Sequence, residues 1–218
     1  MMARRTKQEA DETREALLNA AEQVFLERGV ARASLDEVAR VAGCSRGAVH
    51  WHFGDKLGLF LALDERLLLF QDEACQAMFG GSGCQTLADL ANALVTSLKR
   101  LEQDASRCRL LTVMLQRCEY VDEMAPALER RKQADLRWRK ALCECFKQAG
   151  ARGELSGEWP PEQLALFLHA LLTGLVTEWL RGEAGFSLSD EAANTLRLFF
   201  ACIGKAKPAA VTANVTNA

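Results

Sequence analysis

The sequence predicts an all-α protein of about nine helices, a small N-terminal three-helix module containing a helix-turn-helix followed by a larger helical body. Three observations lead there. Apolar residues recur at helical spacing through most of the 218 residues, with glycine or proline at the breaks. Residues 34–56 read as two short helices around a tight turn. Four prolines and a single tyrosine disfavour a β-rich fold.

The first helix is expected to run to residue 28. Asp11 or Thr13 is its candidate cap, Leu17, Leu18, Ala21, Val24 and Phe25 form its stripe, and Gly29 stops it. Ser34 and Glu37 then have capping-box spacing, so that each side chain can satisfy an exposed amide of the second helix. Leu35, Val38, Ala39 and Ala42 supply its apolar face, and Gly43 is its natural terminator. Ser45 can cap the third helix, 46–53, which is too short to stand alone and must dock through Val49 and Phe53, four residues apart.

That docking turns Arg46, Gly47, His50 and Trp51 outward. Gly47 and Ala48 lack the bulk that would hold the helix away from a groove wall, and the helix N-terminus with the Ser45 hydroxyl offers donors to a phosphate. The second helix of a helix-turn-helix enters the major groove, where Arg46 can donate a paired hydrogen bond to guanine and the Gly47–Ala48 surface can meet thymine methyls. Each residue also has a plainer role. Gly47 costs about 1 kcal/mol in a helix whatever its reason, His50 can be a groove donor or a packing residue, and Trp51 can offer its indole to phosphate or fill a core. Lys56 has the reach and charge for phosphate.

Composition narrows the function class. With 49% hydrophobic and 26% charged residues the chain is globular, and its net charge of −2 is not that of a protein that coats nucleic acid. DNA contact must therefore come from local charge, which Arg4, Arg5 and Lys7 of an N-terminal arm and Arg14 of the first helix can supply. No uninterrupted apolar run reaches membrane-spanning length, and a cytoplasmic protein without a membrane partner is expected. Eight cysteines form no CxxC pair and have no histidines at zinc spacing, so no metal site is expected. They read as small hydrophobes, with Cys44, Cys108 and Cys118 kept as possible redox sensors. No motif of a hydrolase, nucleotide-binding fold or metalloprotease is present, three scattered histidines nominate no base, and neither enzyme activity nor a cofactor is expected.

Residues 13–56, TREALLNAAEQVFLERGVARASLDEVARVAGCSRGAVHWHFGDK, resemble the TetR family of transcriptional repressors, and within it the regulators of multidrug efflux pumps. The match has no gap and includes the alanines at 20 and 21, Phe25, Gly29, Gly43, and the ending His52, Phe53, Lys56. The resemblance implies that Ser34, Ser45, His50, Trp51 and Lys56 contact phosphates or base edges, with Arg46, Gly47 and Ala48 on the reading surface. The family usually has tyrosine where this chain has His50, which replaces a phenolic contact by a pH-sensitive imidazole. Beyond residue 80 the likeness fades to helix rhythm and the segment at 168–180.

The remaining helices are expected at 57–78, 86–101, 107–118, 126–149, 162–181 and 189–202, with a GGSG loop at 80–83 and Pro160 and Pro161 at a helix start. This divides the chain into a DNA-binding module at 1–56, a ligand-binding and dimerisation domain at 57–203, and a disordered tail at 204–218. The last two helices are too apolar for one bundle, which nominates Phe167, Leu171, Leu175, Trp179, Leu196, Phe199 and Phe200 as the face of a homodimer. Phe70, Leu94, Leu98, Met114, Trp138 and Phe167 are candidate walls of an interior pocket, with Glu119 and Glu178 as acceptors for a cationic ligand. The resemblance implies a palindromic operator, repression, and release by a small hydrophobic or aromatic inducer. A redox-sensing repressor and a helical adaptor that never touches DNA are the rival expectations.

Overall fold

The computed structural model describes residues 7–80, 86–157, 159–182 and 185–205; side chains 69–75, 77 and 78 are not described. Arg4, Arg5, the side chain of Phe70, most of the 80–83 loop and residues 206–218 of the expected tail lie outside that set. The described elements are all helical: α1 (Lys7–Arg28), α2 (Leu35–Val41), α3 (Arg46–Phe53), α4 (Lys56–Phe79), α5 (Leu87–Gln103), α6 (Ala105–Gln116), α7 (Ala125–Ala151), α8 (Pro161–Arg181) and α9 (Leu188–Ile203), with a 3-10 turn at Asp122–Met124 before α7.

Capping follows the sequence in part. Ser34 Oγ accepts from Glu37 N (3.1 Å) and Ser45 Oγ from Ala48 N (3.2 Å), which fixes both ends of the turn. The Glu37 carboxylate does not close the box; it pairs with Arg28 across the α1–α2 loop at 3.4 Å. The reciprocal box forms at α5 instead, between Thr86 and Asp89. Thr13 lies inside α1 rather than at its start, because the helix already runs from Lys7, and its hydroxyl donates back to the Glu9 carbonyl (2.7 Å).

Two apolar cores form, and they do not follow the expected boundary at residue 56. The first joins Leu17, Leu18, Phe25, Val38 and Val49 to Leu59, Phe60 and Leu63 of α4 and to Leu110, Val113 and Met114 of α6. The second holds Leu90, Leu142, Phe146, Leu164, Leu168 and Leu196, from α5, α7, α8 and α9. Helices as short as α2 and α3, with 7 and 8 residues, cannot bury enough surface alone, so α1 to α3 share one wall with α6 and the first half of α4. α6 thereby packs directly against the small module.

Carboxylates pin the second core at its helix ends. Glu102 of α5 accepts from Leu188 N (2.8 Å), Ser189 N (3.2 Å) and Ser189 Oγ (2.6 Å), so it caps α9. The Ser189 hydroxyl, ahead of the backbone amides, holds the Glu102 pKa below its ordinary value. Gly204 and Lys205, expected in the tail, are ordered: Leu155 bridges Gly204 and Lys205 N donates to Glu154 O (2.7 Å).

As expected, no uninterrupted apolar run spans a membrane: α8 is apolar over most of its length, with a mean hydropathy of 1.3 in its most apolar window, but Glu162, His169 and Glu178 interrupt it. Its surplus is two-sided. Leu164, Ala165, Leu168 and Leu172 face the protomer core, while Leu166 (47% exposed) and Phe167 (54%) face outward. On α9, Leu198 is 59% exposed in turn. The missing Cβ of Gly174 meets nothing within 4 Å, so the outer stripe of α8 is open to a close neighbour.

Candidate nucleic-acid interface

The reading helix is placed by what it buries. Val49 is fully buried and Phe53 packs beside it, with the Arg14 guanidinium 5.5 Å from the Phe53 ring centroid. This leaves Ser45, Arg46, Gly47, His50 and Trp51 on the exposed edge and Ala48 half-buried beneath them. Trp51 is 72% exposed and lies edge-to-face against His52 at 4.4 Å, so the core role open to it in the sequence does not hold. Ser34 sits at the start of α2 and Lys7 on the exposed start of α1.

The exposed edge carries its own polar network. The Arg46 guanidinium reaches Asp36 Oδ2 of α2 at 3.3 Å through Nη1, and its Nε donates to His50 Nε2 at 3.5 Å. His50 Nδ1 donates to the Gly54 carbonyl at 2.6 Å, which leaves Nε2 as the acceptor. Packing is therefore not the role of His50. Asp36 had no place in the sequence reading, because ten positions and a turn separate it from Arg46.

Lys56 is placed differently from the expectation. Its ammonium donates to the carbonyls of Val30 (3.3 Å) and Ala31 (3.2 Å) and pairs with Glu123 at 3.2 Å, and its side chain is 17% exposed. In this arrangement it closes the α1–α2 loop onto the turn before α7 rather than pointing at a phosphate. Arg117 O takes the Val30 amide at 2.8 Å beside it. Glu22 of α1 pairs with Arg109 of α6, and Arg130 of α7 with Asp64 of α4 at 3.2 Å. Burial pushes the Asp64 carboxyl up, with the Arg130 charge opposing it.

The body's candidates divide. Met114 (1% exposed) and Leu94 (2%) are packed inside the first and second cores, so neither is a free pocket wall. Trp138 is half-buried and lies edge-to-face on Phe79 at 5.5 Å, and Leu98 borders the second core. Glu119 is exposed, and Glu178 is exposed and paired with Arg181 at 2.6 Å. The sequence missed a pair between α7 and α8: His169 Nε2 lies 3.6 Å from Asp135 Oδ1, and this contact holds the Asp135 pKa down.

Of the expected dimer face, Phe167 is outermost, Leu171, Leu175 and Trp179 are half-buried, and Phe199 and Phe200 meet edge-to-face at 5.2 Å against the second core. Leu196 is a correction. At 1% exposure it belongs to its own protomer, because periodicity marks an apolar stripe without saying which neighbour covers it. Leu166 and Leu198 are the exposed leucines of these two helices instead.

The thiols lend no support to redox sensing. Burial raises the Cys118 pKa to about 11 and also pushes Cys108 up, and Cys108 donates to Leu101 O at 3.2 Å. Oxidation proceeds through the thiolate, which both sites disfavour. Cys44 Sγ is turned to the Ala42 carbonyl at 3.5 Å.

Comparison with known proteins agrees with this fold. Residues 17–63 match the family model described as bacterial regulatory proteins, tetR family, and residues 85–203 match that of the MAATS-type transcriptional repressor C-terminal region. The chain is 43% identical over 185 residues to the HTH-type transcriptional repressor BepR of Brucella suis, covering 85% of this chain and 88% of that protein. It is 35% identical to the HTH-type transcriptional regulator TtgR of Pseudomonas putida, covering 82% and 85%. Among solved structures it superposes on NalD, the secondary repressor of the MexAB-OprM multidrug efflux pump in Pseudomonas aeruginosa, with a TM-score of 0.81 at 31% identity, covering 91% and 99%. The SmeT–triclosan complex gives a TM-score of 0.76 at 27% identity, covering 88% and 92%.

Proposed function

We propose, given that this chain belongs to the tetR family of bacterial regulatory proteins, that it holds a palindromic operator as a homodimer and releases it when a small hydrophobic or aromatic compound enters the helical body. The chain is a non-catalytic, ligand-responsive DNA-binding repressor of an efflux-type operon, and the cytoplasm is the family's compartment. The finer reading rests on one observation above the rest: α3 exposes Ser45, Arg46, Gly47, His50 and Trp51 together, with the indole 72% exposed. A soluble protomer gains nothing from that edge, whereas a groove wall would cover it.

The operator would be read by two copies of α3 about 34 Å apart, one in each half-site. Arg46 would address a base edge, and Ser34, Ser45 and Trp51 would position the backbone. The Lys56 ammonium would contribute indirectly, by fixing the α1–α2 loop.

Pairing of the copies is assigned to α8 and α9, where Leu166, Phe167 and Leu198 are exposed. Phe167→Glu combined with Leu198→Glu is expected to give a monomer in sedimentation equilibrium and to weaken operator binding about 100-fold, the loss of about 3 kcal/mol of interface. A dimer persisting in that variant would remove the assignment.

Release requires that the inducer bind the DNA-incompatible state more tightly. The shared core supplies the route, since α6 and α4 wall both the body and the reading module. Fluorescence anisotropy on the operator, titrated with neutral and cationic aromatic compounds, is expected to show about 10- to 100-fold weaker DNA binding with at least one class. If no compound of either class displaces the DNA, the inducer reading fails and the DNA-binding function stands.

A further inference from the structure

Arg46 is not a free reader. Its guanidinium is held on two edges: Nη1 by Asp36 Oδ2 at 3.3 Å, from the preceding helix, and Nε by His50 Nε2 at 3.5 Å, from one turn further along α3. The imidazole is fixed in turn, because its Nδ1 proton goes to the Gly54 carbonyl at 2.6 Å, at the residue that ends α3 with φ of 77°. All three side chains are exposed, so the network contributes little to stability. A carboxylate on a DNA-facing edge is also a cost, since it repels the phosphates that the rest of the edge attracts. Its presence asks for a return.

We propose that Asp36 and His50 are positioning residues that hold the Arg46 guanidinium in a single orientation, so that they set the operator specificity of the protein while adding nothing to its affinity for DNA in general. A long arginine side chain carries about 2 kcal/mol of rotamer entropy, and two fixed partners remove much of that before DNA arrives. The chain thus presents the fork already aligned. Asp36 supplies the anionic acceptor across the helix-turn-helix corner, and His50 supplies a neutral acceptor whose tautomer is dictated by Gly54. Several charged groups of the neighbouring elements are engaged elsewhere: Arg14 over Phe53, Glu37 on Arg28, Asp55 on Gly58 N, and Lys56 on Val30, Ala31 and Glu123, while Arg40 is exposed one turn beyond Asp36 on α2.

This rests on the assignment of Arg46 as the base reader, and the test separates the two. The probe is the palindromic duplex that the wild-type protein selects from a randomised pool, compared with a scrambled duplex of equal length and salt. Arg46→Ala is expected to lower the ratio of specific to scrambled affinity about 10-fold, with the loss concentrated at one base position. Asp36→Ala and His50→Ala should lower the same ratio by a similar factor. Asp36→Ala should also raise affinity for the scrambled duplex, a gain that damage to the fold would not produce. His50→Gln, which keeps an acceptor four residues from Arg46, should retain most of the ratio. Arg46→Ala/His50→Ala should be no worse than Arg46→Ala alone, since the two act as one unit.

Additive losses in the double variant, or equal falls on both duplexes in Asp36→Ala and His50→Ala, would overturn the positioning role and leave Arg46 as reader. An unchanged ratio in Arg46→Ala would overturn both.

Discussion

Replacing Gly58 with alanine is expected to weaken operator binding about 100-fold or more, although residue 58 lies on α4 and not on the reading helix. A Cβ at this position would lie 2.0 Å from the Phe53 carbonyl oxygen and 3.2 Å from its carbon. Both are backbone atoms at the end of α3, so no rotamer change relieves the contact. The junction is already tight on its other side, where Gly58 N donates to Asp55 Oδ1 at 2.7 Å and Gly54 turns the chain at φ of 77°. Either α3 or α4 must therefore move, and α3 carries the reading edge. Overpacking of this kind costs about 1–3 kcal/mol in stability. Because the displaced element is the reader itself, operator affinity should fall about 100-fold or more, with a drop of several degrees in Tm by circular dichroism. Gly43→Ala is the control. Gly43 has a positive φ of 65°, which Gly58 does not, but its Cβ would meet nothing within 4 Å, so only a backbone penalty of about 1–2 kcal/mol is expected. Operator affinity in Gly58→Ala within twofold of the parent would show that the α3–α4 corner yields without moving the edge.

Gly58 also marks where the sequence stops being informative. A glycine three residues into a helix reads as a small propensity loss, and nothing in its neighbours announces a backbone crossing. Local signals fared better. Ser34 and Ser45 cap as their positions foretell, and Val49 and Phe53 face inward at a spacing of four. The Ser34–Glu37 box was half right, since Arg28, brought near only by the fold, takes the carboxylate. Contacts between helices were illegible for the same reason. Asp36 meets Arg46 across a turn, and Lys56 meets Glu123 across 67 positions, and neither pairing has a period to betray it. A boundary at residue 56 follows the end of the recognisable motif, whereas packing places Leu59, Phe60, Leu110 and Val113 in the module's core. Hydrophobic periodicity likewise could not separate Leu196, buried in its own protomer, from Leu198 on the outer face two residues later.

The second large effect is expected at the seam this shared core creates. Glu22 of α1 is 5% exposed, a carboxylate buried beside apolar neighbours, and Arg109 of α6 is its ion-pair partner. Removing the guanidinium alone leaves the charge without compensation, which in buried settings costs about 3–5 kcal/mol. The Arg109 side chain remains 47% exposed, so water tempers the loss, and Arg109→Ala is expected at the low end, near 3 kcal/mol. For a chain of this length that is about 6–12 °C in Tm. Removing both charges should be milder than removing one. Glu22→Met/Arg109→Met deletes the desolvation penalty together with the attraction, and its Tm should return to within a few degrees of the parent. The pair then has a role that stability alone would not require. It ties α6 to α1 in parallel with the Val30–Arg117 hydrogen bond at 2.8 Å and the Lys56–Glu123 pair at 3.2 Å, and Arg66 of α4 reaches Glu15 and Asn19 of α1, so several polar links cross where the body meets the reader. Apolar packing tolerates sliding, whereas these links resist it, and in the double variant a displacement of α6 would reach α1 less faithfully. That variant should keep its fold and its DNA affinity while needing more inducer for release. An Arg109→Ala protein that melts within about 2 °C of the parent would reduce the pair to a surface contact and remove this account of the coupling.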